Sequence, residues 1–265
     1  MTFSTDSATT PASRGPVVGL AVETVLLAVL AGTVGLSAGG WLAGAAYAVG
    51  LCGLLGLGLR RAGMTKMGPA NLVTFTRALM VGGVTAMVVS SLTRPVHLAA
   101  LVTLVGVALA LDGVDGQVAR RTGSTSALGA RFDMEVDAFL ILVLSVFAAG
   151  TFGWWTVAIG AYRYVFVAAS WAAPWLTAPL PPKFSRKVVA AAQGVALVVA
   201  LSHLLPPWLA GAGLALALTS LTWSFGRDIR WLWTAERLRR AAAERVTLPI
   251  VPVQRRVIRH PAAVG

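Results

Sequence analysis

Apolar and polar positions divide the chain into eight long apolar runs separated by short polar segments. The runs cover approximately residues 17 to 37, 41 to 59, 70 to 92, 97 to 112, 130 to 150, 154 to 176, 187 to 205 and 208 to 225. Most approach the roughly 20 residues that a helix needs to cross the hydrocarbon core of a bilayer. The fourth run is short. Gly113 and Gly116 only weaken a helix, so the pattern predicts that it continues past Asp112 towards Thr122 and Gly123. No internal repeat emerges. The expected fold class is all-α, a polytopic membrane helical bundle.

Composition supports that class. With 57% hydrophobic and 12% charged residues among 265, and a mean hydropathy of +0.76, the chain is too apolar for an ordinary soluble domain. The net charge of +12 does not point to nucleic acid. Its Lys and Arg lie in short segments between apolar runs and in the C-terminal tail rather than on one compact module, which suits anionic membrane lipid and phosphorylated substrates. The single cysteine, Cys52, lies inside an apolar run, which excludes an internal disulfide framework and a thiolate metal cluster.

Charge in the loops orients the bundle. Segments holding Arg60, Arg61 and Lys66, then Arg120, Arg121 and Arg131, then Lys183, Arg186 and Lys187 alternate with loops that carry only Arg94. The positive-inside tendency puts the basic set and both termini in the cytoplasm. The run beginning at Pro16 exceeds a usual signal-peptide core and is followed at once by a second span, so it is expected to be retained. Residues 1–15, rich in Ser and Thr, are expected to be a disordered tail. Trp231, Leu232 and Trp233 are mixed with several arginines in the basic tail 226–265, where a helix lying on the membrane surface is expected.

The chemistry is concentrated in one stretch. Asp112, Asp115, Asp133, Glu135 and Asp137 are five of only ten acidic residues. Carboxylates at a bilayer boundary are costly to ionise without a partner, and a bound cation is the natural one. Asp112 and Asp115 are three apart, and Gly116 and Ala119 continue their helical face. Asp133 and Asp137 are four apart, with Gly129 one turn earlier. A reversal around Thr122 to Ser126 would let two helices present two carboxylates each to a shared site. Such an oxygen-only set favours Mg²⁺, Mn²⁺ or Ca²⁺ over zinc, and four carboxylates suit a pair of divalent cations. Arg120 offers a fork for phosphate oxygens. Phosphoryl transfer follows more naturally than proton pumping.

Asp112, Asp115, Gly116, Ala119, Arg120, Gly129, Asp133 and Asp137 fill all eight fixed positions of DxxDGxxAR(x8)GxxxDxxxD. The chain thereby resembles the CDP-alcohol phosphotransferases, and Pro69, Asn71, Thr74 and Arg77 resemble the start of that family's first core helix. The resemblance implies a six-helix catalytic core, here 69–225, with two additional transmembrane helices within 16–60. It implies transfer of a phosphoalcohol unit from a CDP-linked donor to an acceptor hydroxyl, with release of CMP. Carried over by position, Asp112, Asp115 and Asp133 are metal ligands for two divalent cations, Mg²⁺ or Mn²⁺. Asp137 is the general base and a further ligand. Gly116, Ala119, Gly129, Arg120, Asn71 and Thr74 would hold the donor. The expected donor is CDP-diacylglycerol, the expected location the plasma membrane of a bacterium with the site facing the cytoplasm, and the expected assembly a homodimer. Glycerol 3-phosphate is the favoured acceptor, with inositol phosphate, another polyol or a second lipid left open.

Other polar residues have plainer readings. Glu135 lies about 200° around the helix from Asp133, which marks it as a solvent or interface residue. Lys183 and Arg186 open the seventh run and serve either topology or a phosphate contact, with Arg186 the better contact. Arg163 lies within the sixth run and must face protein or a cavity, where an ion pair is expected ahead of a substrate contact and Glu23 is a candidate partner. His97 and His203 sit at the far ends of spans and read as interface residues. An ion- or proton-coupled transporter is the rival of another class, but transporters favour repeated plans and acids at mid-membrane, and these acids cluster at one end. A non-catalytic membrane scaffold that keeps the motif is the third reading.

Overall fold

In the computed structural model the described residues are 10–11, 15–63, 66–67, 69–122 and 127–247, with side chains described for 15–63, 71–113 and 128–243. Among them eight α-helices follow one another: α1 (Gly15–Thr33), α2 (Ala38–Arg61), α3 (Pro69–Ser90), α4 (Leu98–Thr122), α5 (Ala127–Phe152), α6 (Val157–Ala172), α7 (Phe184–Leu201) and α8 (Pro207–Thr247). Thr10–Pro11 pairs antiparallel with Lys66–Met67. The remainder of the expected N-terminal tail lies outside the described residues. Six helices are long and apolar enough to cross a membrane, while the apolar part of α4, Leu98–Gly113, and the 16 residues of α6 are shorter. The protein is an integral membrane bundle. Large apolar side chains such as Leu42, Leu54, Trp171 and Leu216 stand exposed on its outside, the arrangement that lipid rather than water accommodates.

The buried centre is α3, with 72% of its apolar stretch inside the bundle against 28–33% for the other long helices. Proline at its first position is compatible with helix initiation, because the missing N–H would have had no partner there. Leu27 from α1, Val81 and Met87 from α3, Leu101 from α4, and Leu140 and Leu144 from α5 meet around it. Small residues let the backbones come close. A Cβ at Gly160 of α6 would lie 2.7 Å from the Leu142 backbone nitrogen and from Ser145 Oγ of α5. At the end of the bundle remote from the aspartates, Ser37 caps α2 by accepting from Gly40 N at 3.0 Å, and Ser37 N donates to Ser90 Oγ of α3 at 3.0 Å. Gly153, with φ +96°, makes the turn between α5 and a 3₁₀ turn at Trp154–Thr156.

Two regions differ from expectation. The residues expected to form a separate surface helix instead continue α8 without interruption, giving a helix of 41 residues, about 61 Å long. No proline occurs between Pro207 and Pro249, and the stretch after Gly226 is rich in Ala, Arg, Glu and Leu. Glu236 pairs with Arg239 at 2.6 Å and Arg240 at 2.7 Å, one turn on. The sixth run, expected as one span, is α6 flanked by 3₁₀ turns at Trp154–Thr156 and Pro174–Thr177, the second opened by Pro174, which cannot continue a helix.

Candidate active site

Three helices build the site. Asp112 lies just past the middle of α4, where the apolar stretch gives way to polar residues, and Asp133 and Asp137 lie one turn apart on α5. Oxygens from these three carboxylates lie within 4.8 Å of one another, and all three side chains are partly exposed. At their centre is Arg77 of α3, whose side chain is 1% exposed. Its guanidinium pairs with Asp112 Oδ1 and Asp133 Oδ1, and reaches Asp137 Oδ1 at 3.2 Å. Arg77 was noted in sequence only as part of an opening segment, with no role. The signal that marks it is a guanidinium inside an apolar helix, which demands counter-charges.

The electrostatics favour a cation. Among the described contacts, three carboxylates face one guanidinium in a partly buried site. Like charges this close disfavour one another unless positive charge is supplied. Oxygen-only donors suit a hard divalent metal, so the residues fit such an ion.

The other expected site residues are distributed along the same three helices. Thr74, buried, precedes Arg77 by three positions on α3, and partly buried Asn71 precedes Thr74 by three. Gly129 is one turn before Asp133 on α5. Asp115, Gly116, Ala119 and Arg120 fall on the helical continuation of α4, and their side chains lie outside the described residues, as does the turn expected over 123–126. The convergence of Asp115 with the other three is therefore not among the described contacts.

A second charged group lies between α7 and α8. Arg186 pairs with Asp228 at 2.9 Å and donates to the Pro181 carbonyl at 2.6 Å. Arg227 is 3.7 Å from the same carboxylate and donates to Ser185 Oγ at 3.2 Å. Asp228 is buried and was not singled out in sequence, because only the pairing of two helices reveals it. Lys183 precedes the first residue of α7, with its side chain exposed. The depth of this group can be read from the packing of Gly194, where a Cβ would lie 3.5 Å from Ile141 of α5 and 3.7 Å from Leu109 of α4. Arg186 is eight residues before Gly194, about 12 Å along α7, whereas Asp137 is four before Ile141, about 6 Å along α5. The arginine backbone thus sits about 6 Å nearer the basic end of the bundle than Asp137.

Arg163 pairs with Glu135, not with Glu23. Glu135 is on the face of α5 turned from Asp133 towards α6, so the residue expected to face solvent or an interface supplies the counter-charge. Glu23 is buried in α1 against α3, and neither of its oxygens has a hydrogen-bond partner among the described residues.

No curated protein and no solved structure matches the chain. The family model for CDP-alcohol phosphatidyltransferase matches residues 67–223, more than half of the chain and the whole stretch from Arg77 through Asp137 to Arg186. With that match and an aspartate cluster suited to a divalent metal, the chain belongs to the CDP-alcohol phosphatidyltransferase family, membrane transferases that use a CDP-alcohol donor and a hydroxyl acceptor.

Proposed function

We propose that the protein transfers a phosphatidyl group from CDP-diacylglycerol to the hydroxyl of glycerol 3-phosphate, releasing CMP, at the cytoplasmic face of a bacterial plasma membrane. The observation that carries this reading is the meeting of Asp112, Asp133 and Asp137 at the polar end of apolar helices, within the matched segment. In this reading residues 69–225 are the catalytic core and the two helices within 16–60 are additions to it.

Asp112, Asp115 and Asp133 would hold two divalent cations, Mg²⁺ or Mn²⁺, with Asp137 beside them. Bound there, the cations supply charge neutralisation for the leaving phosphate and polarise the one being transferred. Asp137 accepts the proton of the acceptor hydroxyl as that oxygen attacks the phosphorus attached to the lipid. The bond from this phosphorus to the oxygen it shares with CMP breaks, and CMP takes the electron pair. Arg77 holds the carboxylates of α4 and α5 in one place. Asn71, Thr74, Gly116, Ala119, Arg120 and Gly129 line the donor side.

The acceptor choice is supported by the second charged group. Arg186 and Arg227 share one described carboxylate, and the Arg186 backbone lies about 6 Å nearer the basic end of the bundle, measured along the helices, than Asp137. A phosphate on a short polyol, with its hydroxyl at Asp137, would be directed towards these arginines, and Lys183 adds charge just before α7.

The test offers purified protein CDP-diacylglycerol, Mg²⁺ and a panel of acceptors, and identifies products by mass spectrometry. The expected products are CMP and the phosphatidyl ester of glycerol 3-phosphate. CMP release with only another acceptor would reassign the acceptor, and none with any acceptor would overturn the reading.

A further inference from the structure

We infer that the cavity between α8 and the 3₁₀ turn Pro174–Thr177 binds the headgroup of an anionic phospholipid. The cavity has a volume of about 280 Å³ and is lined by Trp175 from the turn and by Trp233, Glu236, Arg237 and Arg240 from α8. None of these residues belongs to the aspartate site or to the Arg186 group, so the cavity stands apart from the proposed reaction.

Trp233, Arg237 and Arg240 follow one another at steps of four and three residues, which puts them on one face of α8. Pro174 opens the 3₁₀ turn that sets the half-buried Trp175 against that face. The Arg237 guanidinium lies 3.6 Å from the centre of the Trp233 ring. This contact uses its flat face, and its N–H groups, which lie in the plane, have no carboxylate partner among the described residues. Arg240 donates through Nε to Glu236 Oε1 at 2.7 Å, which leaves its terminal nitrogens as donors, and Arg239 pairs with Glu236 Oε2 at 2.6 Å. Three guanidinium groups thus meet one described carboxylate, and a phosphodiester supplies both the acceptor oxygens and the negative charge that such a set binds.

Depth identifies the phosphate as a lipid's. Trp208, 73% exposed, stands at the start of α8, and Trp233 follows 25 residues later, about 38 Å along the helix. A bilayer has a hydrocarbon core of about 30 Å and measures about 40–45 Å with its headgroups. With Trp208 in one interfacial layer, Trp233 therefore lies in the other, and Arg237 and Arg240 follow one and two turns beyond it. On the membrane side of the cavity, Phe166 of α6 packs on Phe225 of α8 at 5.4 Å, and Val167 and Trp171 of α6 are exposed, which gives acyl chains an apolar surface. A water-soluble phosphate has no use for two indoles at this depth, whereas a phospholipid carries its phosphate there by its own anchoring.

The test counts lipids bound to detergent-purified full-length protein by native mass spectrometry. The probes are phosphatidylglycerol, phosphatidylcholine with the same chains, and inorganic phosphate as a competitor. Wild-type protein is expected to keep phosphatidylglycerol at concentrations where phosphatidylcholine is lost, and inorganic phosphate should not displace it. Replacing both arginines, Arg237→Gln with Arg240→Gln, should weaken phosphatidylglycerol binding about tenfold or more while CDP-diacylglycerol binding stays at the wild-type level. Should that variant fail to fold, Trp175→Leu on the opposite wall reads the same loss. Equal retention of the two lipids by the wild-type protein would overturn the inference, as would wild-type phosphatidylglycerol binding in the folded variants. Displacement by inorganic phosphate would make the ligand a free anion rather than a lipid. A parallel loss of CDP-diacylglycerol binding would put the lost lipid in the aspartate site and overturn the assignment to this cavity.

Discussion

Two arginines, Arg77 and Arg186, each hold aspartate, yet they stand in opposite electrostatic settings. Arg77 is one cation among three carboxylates, deep in the bundle. Arg186 and its neighbour Arg227 are two cations around the single carboxylate of Asp228, nearer the basic end. Among the described contacts, carboxylates outnumber cations in the first group and cations outnumber carboxylates in the second. In the proposed function a divalent cation balances the first group and the acceptor's phosphate the second, with the Arg186 backbone offset about 6 Å along the helices from Asp137.

The strongest way to break this comparison is to remove a carboxylate from the acidic group. Asp112→Ala should lower metal-dependent turnover by at least about a thousandfold, because a metal ligand supplies several kcal/mol of transition-state stabilisation. Wild-type rates at limiting Mg²⁺ would show that Asp112 is not a ligand. Asp137→Asn should cost about 10²- to 10⁴-fold in kcat, the range for loss of a general base, while donor binding by equilibrium dialysis changes little. Equal loss of donor binding would make Asp137 a holding residue instead.

The basic group should respond differently. Arg186→Ala should raise KM for a phosphorylated acceptor about tenfold to a hundredfold, the weight of a hydrogen bond to a charged group, with a smaller change in kcat. A fall in kcat at constant KM would contradict a phosphate-holding role. Glu135 provides the smallest and sharpest contrast, since it lies between Asp133 and Asp137 but pairs with Arg163. For this partly exposed pair, Glu135→Gln should change stability by less than about 1 kcal/mol and leave metal affinity unaltered. A loss of Mn²⁺ binding there would mean that the acidic group extends to the α6 side of α5.

What could be read from sequence was whatever one helix displays by itself. The apolar runs located all eight described helices, the four-residue spacing put Asp133 and Asp137 on one face of α5, and the lack of a strong break before Thr122 carried α4 past Asp112. Contacts between helices were less legible. For Arg163 the sequence offers an ion pair with Glu23 only as a candidate, whereas its observed partner, Glu135, is on α5 facing α6. Asp228 looked like one more residue in a basic stretch until α7 brought Arg186 against it. Arg77 belonged to an opening segment, and only the packing of α3 at the bundle centre places it among the aspartates. Pairing across helices depends on rotation and depth, which periodicity along one chain segment does not encode.

The most direct measurement is CMP release from CDP-diacylglycerol by purified protein, followed against Mg²⁺ concentration with and without glycerol 3-phosphate. The account predicts release that requires both the metal and the acceptor, that stops on chelation and that returns when Mg²⁺ is restored. CMP release that continues undiminished in excess chelator would contradict a metal-holding role for Asp112, Asp133 and Asp137.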